Sequence, residues 1–259
     1  FVPATSEVVM LNKEKIEVHL HLWYEDVSIY LMKKLNKYWD GRINISLLQD
    51  AESNKNILNY ANNNFEQVNT VYVPNRGTDQ NGFFASYKNN SEDKDWIFYA
   101  HDKSSDKLEW IDQITDPLLE QEQTVNKLLK DQSSGIISSG NLTRLERLRS
   151  EEDLIALDKT MQFHHKHKVV LCRQTLIWLR ELQYILYEKH GLINKENLNF
   201  KFTAGTMFLI DKRVLSLVHD CIHENFFPAH YRADGDMPHA LERFYFYVSI
   251  CLEQKNHFI

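Results

Sequence analysis

Between residues 16 and about 140, short β-rich runs alternate with runs that carry apolar residues at helical spacing, and this alternation leaves few architectures open. "IEVHLHLWY" (16–24) reads as a strand. "EDVSIYLMKKLNKYW" (25–39) reads as a helix through Val27, Tyr30, Leu31, Leu35 and Tyr38. "RINISLL" (42–48), "VNTVYV" (68–73) and "DWIFYA" (95–100) are further strands. Between them lie "SNKNILNYANN" (53–63), a helix with Ser53 as its N-capping residue, and "NGFFASYKN", a short helix. "KLEWIDQITDPLLEQEQTVNKLLKD" forms one long or broken helical region, and "SGIISSGN" (134–141) one more buried strand. Strands that alternate with helices imply an α/β fold with a mostly parallel central sheet flanked by helices on both faces.

Beyond residue 141 the pattern changes. Residues 142–199 are charged and helix-rich, and "VLCRQTLIWLRELQYILYEKHG" is an amphipathic helix that ends at Gly191. We read this segment as a helical insertion within a single domain of residues 16–259. "FKFTAGTMFLI" (200–210) returns to β character, and "MPHALERFYFYVSICLEQ" (237–254) closes the chain as a helix with Pro238 near its start.

At 259 residues the chain can bury a sizeable core, and 43% hydrophobic with 25% charged residues is the composition of a folded protein. A net charge of −6 argues against a general nucleic-acid binder, which needs excess Lys and Arg against phosphate. Cys172, Cys221 and Cys251 lie far apart with no CxxC spacing, so a reducing, cytoplasmic setting is expected. No segment approaches the roughly 18 consecutive apolar residues of a membrane span. Because the sequence starts at Phe1 rather than Met, it is expected to be a fragment of a longer chain with other domains.

In open parallel sheets, ligands bind beyond the carboxyl ends of the strands. "FYAHDKSSDK" (98–107) ends a strand there with His101, Asp102 and Lys103. Lys103 supplies a point charge for phosphate and Ser104 and Ser105 supply hydroxyl donors, while Asp102 offers a ligand to Mg²⁺ or Mn²⁺. A solvated turn is the plain alternative. In "VPNRGTDQNGFF" (73–84), Gly77 permits close backbone approach and Arg76 forks onto phosphate or a carboxylate. Asp79 accepts from sugar hydroxyls or caps the next helix. There is no GxGxxG after the first strand and no GxxxxGK[ST], which disfavours a Rossmann dinucleotide site or a P-loop. In "RADGDMPHALERF" (232–244), Asp234 and Asp236 precede a helix that presents His239, Glu242 and Arg243 on one face. Two carboxylates before a helix suit general-base work; as plain structure, Asp236 caps the helix.

In order, "HLHLWYED", "VPNRGTDQNGFF", "FYAHDKSS", "FTAGTMFLI" and "DGDMPHALERF" resemble the rhamnan synthesis protein F family of bacterial cell-surface polysaccharide glycosyltransferases. The resemblance covers residues 16–140 and 200–259; 142–199 has no matching pattern. It implies a GT-A-like fold and a nucleotide-sugar-dependent transferase, most often linked with L-rhamnose from a dTDP donor and a polysaccharide or lipid-linked glycan acceptor. The residues it marks are His21, Tyr24, Asn75, Arg76, Gly77, Asp79, His101, Lys103, Ser105, Gly205, Thr206, Asp234, His239, Glu242 and Arg243. Asp102 departs from the neutral residue common in the family.

Together these readings place the nucleobase against His21, Trp23 and Tyr24, with Arg76, His101 and Lys103 on the departing diphosphate. Asn75, Gly77, Asp79, Asp102 and Ser105 complete the donor side, and Gly205, Thr206 and Arg243 are assigned to sugar or acceptor. Asp234 is the expected base of an inverting displacement, with Asp236 as cap and His239 and Glu242 as further catalytic candidates. The alternative is a catalytically inactive GT-A-like carbohydrate-binding or scaffold module. "HHKHK" (164–168) reads as a basic segment suited to anionic lipid or polysaccharide, hence peripheral membrane association, with a metal site through His164 and His167, three apart, as the alternative. His19 reads as structural, and "FYFYV" (244–248) as core.

Overall fold

In the computed structural model, which describes residues 11–76, 78–147, 166–193, 199–227 and 237–259, the alternation becomes a run of strand–helix units. They are β1 (Ile16–Leu22), α1 (Glu25–Leu35), β2 (Arg42–Leu48), α2 (Asn54–Asn64), β3 (Gln67–Val73), α3 (Thr78–Asn90) and β4 (Trp96–His101). A 3₁₀ turn (Ser105–Lys107) then leads into α4 (Leu108–Glu120), α5 (Glu122–Leu128) and β5 (Ser134–Ser138). The remainder comprises β6 (Thr143–Arg147), α6 (Lys166–His190), β7 (Asn199–Thr203), β8 (Phe208–Asp211), α7 (Lys212–Cys221), α8 (Met237–Cys251) and β9 (Lys255–Phe258), with a 3₁₀ turn at Glu224–Phe226.

The strand order of the main sheet is β3-β2-β1-β4-β8-β5-β9, and β6 and β7 form a separate antiparallel pair. β3, β2, β1 and β4 run parallel, β8 runs against both of its neighbours, and β9 is parallel to β5. The α/β reading with a large, mostly parallel sheet between helices therefore holds.

The β-rich stretch 200–210 divides into two strands: β7 belongs to the small sheet and β8 to the large one, with a turn at Gly205 and Thr206 between them. One expectation changes in detail. Ser53 stands at the start of α2 but does not cap it; its hydroxyl donates to the Trp23 carbonyl, 2.8 Å away. The helical region after β4 is broken, as α4 stops at Glu120 and α5 restarts at Glu122. Within α4, Pro117 has no N–H to give the Gln113 carbonyl one turn back. That carbonyl is satisfied from outside the helix, by Ser139 Oγ at 2.7 Å and Asn141 Nδ2 at 2.9 Å. α6 stops at Gly191, whose φ of +66° and bond to the Tyr187 carbonyl form a left-handed C-terminal cap.

The two faces of the parallel strands differ chemically. Val18, Leu20 and Leu22 of β1, Ile43, Ile45 and Leu47 of β2, and Phe98 and Ala100 of β4 pack against α1, α2 and α4 in one continuous core. On the opposite face β1 carries Glu17, His19 and His21, all buried. In register beside them stand Asn44 and Ser46 of β2 and Tyr99 and His101 of β4. The helix laid over this polar seam is α3. Its Ser86 Oγ lies 2.8 Å from His19 Nδ1, and Glu17 Oε1 lies 2.6 Å from His19 Nε2. Glu17 also accepts from Asn44 Nδ2 and from the amide of Glu92, so this buried carboxylate is fully engaged. Beyond α3, an aromatic and aliphatic core gathers Phe83, Tyr99, Phe208, Phe244, Tyr245, Phe246 and Tyr247 with Leu179, Leu182 and Leu186 of α6. The helix of the 142–199 segment thus packs into the second core layer.

Candidate functional site

The polar seam opens at the carboxyl ends of β1 and β4, where His21 and His101 sit side by side in register. His21 is buried, with Nδ1 3.0 Å from Ser46 Oγ. Burial, with His101 adding to it, lowers its pKa to about 4 against the pull of Asp79, so the ring is neutral. Gly82 of α3 is what admits the ring: a Cβ there would lie 2.1 Å from His21 Nδ1.

His101 Nδ1 lies 2.9 Å from the Asp102 carbonyl and Nε2 lies 2.7 Å from the Gly205 carbonyl. A neutral imidazole has one N–H, so meeting both carbonyls favours the imidazolium, as does Asp79 Oδ2 at 3.7 Å. Burial outweighs these and lowers the His101 pKa. Asp79 stands in the first turn of α3. Burial works to raise its pKa, but His101, Lys103, His21 and a bond from Thr78 prevail and hold the carboxyl below its usual range.

Asp102 acts as a tether. Its Oδ2 accepts from the Trp23 amide (2.7 Å), the Tyr24 amide (2.6 Å) and Ser28 Oγ (2.7 Å), joining the end of β4 to the start of α1. Burial nevertheless pushes its pKa up to about 6. With Oδ2 engaged in this way, and with no three His, Cys, Asp or Glu side chains grouped for a metal among the described residues, the arrangement does not assemble a cation site around Asp102. The amides it holds belong to Trp23 and Tyr24, whose rings stack on each other at 5.2 Å and are 38% and 40% exposed.

Lys103 lies over the Trp110 ring, 5.1 Å from its centroid. Trp110 also packs beside His101 and against Gly205, where a Cβ would lie 2.2 Å from the indole. Gly205 has φ +104° and Thr206 φ +44°. The second value is uncommon for a β-branched residue and costs about 1–3 kcal/mol of local strain. From α8, Glu242 Oε1 accepts the Gly205 amide at 3.1 Å. Burial, with Asp79 adding to it, pushes the Glu242 pKa up to about 7, against Arg243, the Gly205 amide and Lys103. Arg243 donates to the His239 carbonyl at 2.6 Å and lies over the Phe202 ring at 4.4 Å.

The structure therefore brings together His21, Asp79, His101, Lys103, Gly205, Thr206 and Glu242, with Asp102 supporting them from below and Arg243 alongside. Arg76 is directed elsewhere: its Nη2 donates to the Glu224 carbonyl at 2.7 Å. Asn75 is exposed in the same turn. Gly77, Asp234, Asp236, the Ser105 side chain and the side chains of the HHKHK run lie outside the described residues. Sequence reasoning missed Gln80, Trp110 and Tyr245. Gln80 adjoins Asp79, and Tyr245 lies three residues beyond Glu242 on the same helix face, so the motifs themselves point to both; Trp110 has no such signal.

Fold and site define a class: a mixed α/β protein whose buried, mixed-charge cluster lies at the carboxyl ends of adjacent parallel strands. Within that class, the chain belongs to the rhamnan synthesis protein F family, whose match spans residues 2–254 and so includes the 142–199 segment for which the motifs have no counterpart. Membership gives it a role in polysaccharide synthesis. No curated protein and no solved structure matches the chain. Among the described residues, no helix is long and apolar enough to cross a membrane.

Proposed function

We propose that this chain is a nucleotide-sugar-dependent glycosyltransferase of the GT-A type, moving L-rhamnose from a dTDP donor to a growing polysaccharide or lipid-linked glycan with inversion. The acting unit is one domain, residues 16–259, with 142–199 as an insertion. The observation that carries the reading is the convergence of Asp79, His101 and Lys103 at the ends of adjacent parallel strands, in a chain of a polysaccharide-synthesis family. Transfer from a nucleotide diphosphate needs positive charge on the leaving group, an aromatic seat for the base and a proton acceptor for the incoming hydroxyl. Lys103 supplies the first, with the His101 imidazole beside it, and the exposed Trp23–Tyr24 stack supplies the second. Asp79, held ionised, accepts from donor sugar hydroxyls. Asp234 is the assigned base, and Glu242, poised near neutrality, is a described carboxyl whose titration should appear in a pH–rate profile.

Binding is the simplest test. A ligand that binds only the native state raises its apparent stability, so millimolar dTDP, UDP or GDP should raise the melting temperature. No shift with any of the three would refute a nucleotide site.

A further inference from the structure

Gln80 is fully engaged at the centre of the site. Its Nε2 donates to Asp79 Oδ2 at 2.9 Å and to Thr206 Oγ1 at 2.7 Å. Its Oε1 accepts from the Tyr245 hydroxyl at 3.0 Å. Gln80 and Tyr245 are both buried, so each of these groups would be costly to leave unpaired. A side-chain amide looks alike with oxygen and nitrogen exchanged, and its orientation follows from its partners. Here Asp79 decides it. The ionised carboxylate can only accept, so the amide nitrogen faces Asp79 and Thr206, and the oxygen is left to accept from the Tyr245 phenol, which stays protonated. Tyr99 adds a second fixing point, donating its hydroxyl to the Asp79 carbonyl at 2.8 Å.

The two atoms held by the Gln80 nitrogen both adjoin the contacts of His101. Asp79 Oδ2 is the atom 3.7 Å from His101 Nε2. Thr206 is the residue in the left-handed conformation, next to the Gly205 carbonyl that His101 contacts. We propose that Gln80, anchored by Tyr245, is a positioning residue that holds the Asp79 carboxylate off His101 and pins the Gly205–Thr206 turn. The proposal deepens the transferase reading and rests on it for its purpose, namely to keep the Asp79 carboxylate available to a donor rather than collapsed onto the imidazole.

Imidazole titration of His101, followed by NMR in the intact chain, tests this without requiring activity. The charged and titratable groups facing His101 are Asp79 from α3, Lys103 from its own loop and His21 from β1, with Glu242 from α8 acting on Asp79. In Gln80→Met the carboxylate keeps only the bond from Thr78 among these donors and closes on the ring, so the His101 midpoint should move to higher pH. Gln80→Leu, which likewise has no N–H and adds no charge, should move it the same way, and Tyr245→Phe should do so by a smaller amount. Binding of dTDP-rhamnose, whose sugar hydroxyls Asp79 meets, should weaken about tenfold in Gln80→Met, the size of one hydrogen bond to a charged group lost when the carboxylate moves away. A lower melting temperature with the His101 midpoint unchanged in both Gln80 variants would overturn the proposal, leaving Gln80 a packing residue. Failure of the unmutated chain to bind dTDP would count against the functional reading alone, and the His101 midpoint would still decide the role of Gln80.

Discussion

At position 82 the ring of His21 occupies the space a side chain would need, with its Nδ1 2.1 Å from where a Cβ would be. Gly82→Ala must therefore displace either α3 or a buried imidazole that Ser46 holds in place. Overpacking of this kind costs about 1–3 kcal/mol, and urea denaturation should show that loss. Unchanged stability would mean that His21 is not fixed against α3. Glu242 gives a second residue-scale test. Its folded-state pKa of about 7 stands above the ordinary 4.5, so the native state holds this proton more tightly than the unfolded chain. The stability it contributes is fully present below 4.5 and is lost as pH rises through about 7. Glu242→Gln keeps an acceptor for the Gly205 amide and removes the titration. The variant should gain stability relative to the unmutated chain as pH rises across that window, and parallel stability curves for the two proteins would contradict the assignment.

Among the elements, α1 depends on a residue from another strand. Tyr24 stands at its N-cap without a capping side chain of its own, and Asp102 at the end of β4 fills that role through the Trp23 and Tyr24 amides and Ser28. Asp102→Ala would leave these donors unpaired, at a cost of about 3 kcal/mol with charge-assisted bonds lost, and chemical denaturation measures it directly. A loss much below 1 kcal/mol would show that water replaces the carboxylate. Most elements of residues 16–140 were legible in the sequence, because strand and helix periodicities are local properties of the chain. Other elements were not. The run 200–210 shows only β character until Gly205 and Thr206 are known to adopt positive φ. α7 follows β8 without a loop, started by Asp211, which accepts the Arg213 amide at 2.7 Å. β9, "KNHF", is polar and becomes a strand only through pairing with β5, a contact across more than a hundred residues.

For the whole molecule, the sheet works as a partition: one face is a conventional apolar core, and the other carries polar side chains from Glu17 through His19 to His21 and out to His101. The histidines at 19 and 21 were visible as alternating residues on β1, but which face was buried against what depended on α3 crossing them. Likewise the motif residues Asp79, His101, Gly205 and Glu242 are far apart in the chain and meet only because β4 lies between β1 and β8. Trp110 looks like an ordinary helix residue in the sequence, and the roles of Gln80 and Tyr245, though each lies beside a motif residue, depend on the contacts they make with each other and with Thr206. If this meeting point is the sugar-transfer site we propose, it should release dTDP from dTDP-rhamnose in the presence of a rhamnose-containing acceptor glycan. We predict turnover by the unmutated chain and a loss of roughly a hundredfold or more in Asp234→Asn, with dTDP binding retained, as expected on removal of a general base. Absence of turnover with dTDP-, UDP- and GDP-sugars alike, or equal turnover in Asp234→Asn, would contradict the proposal.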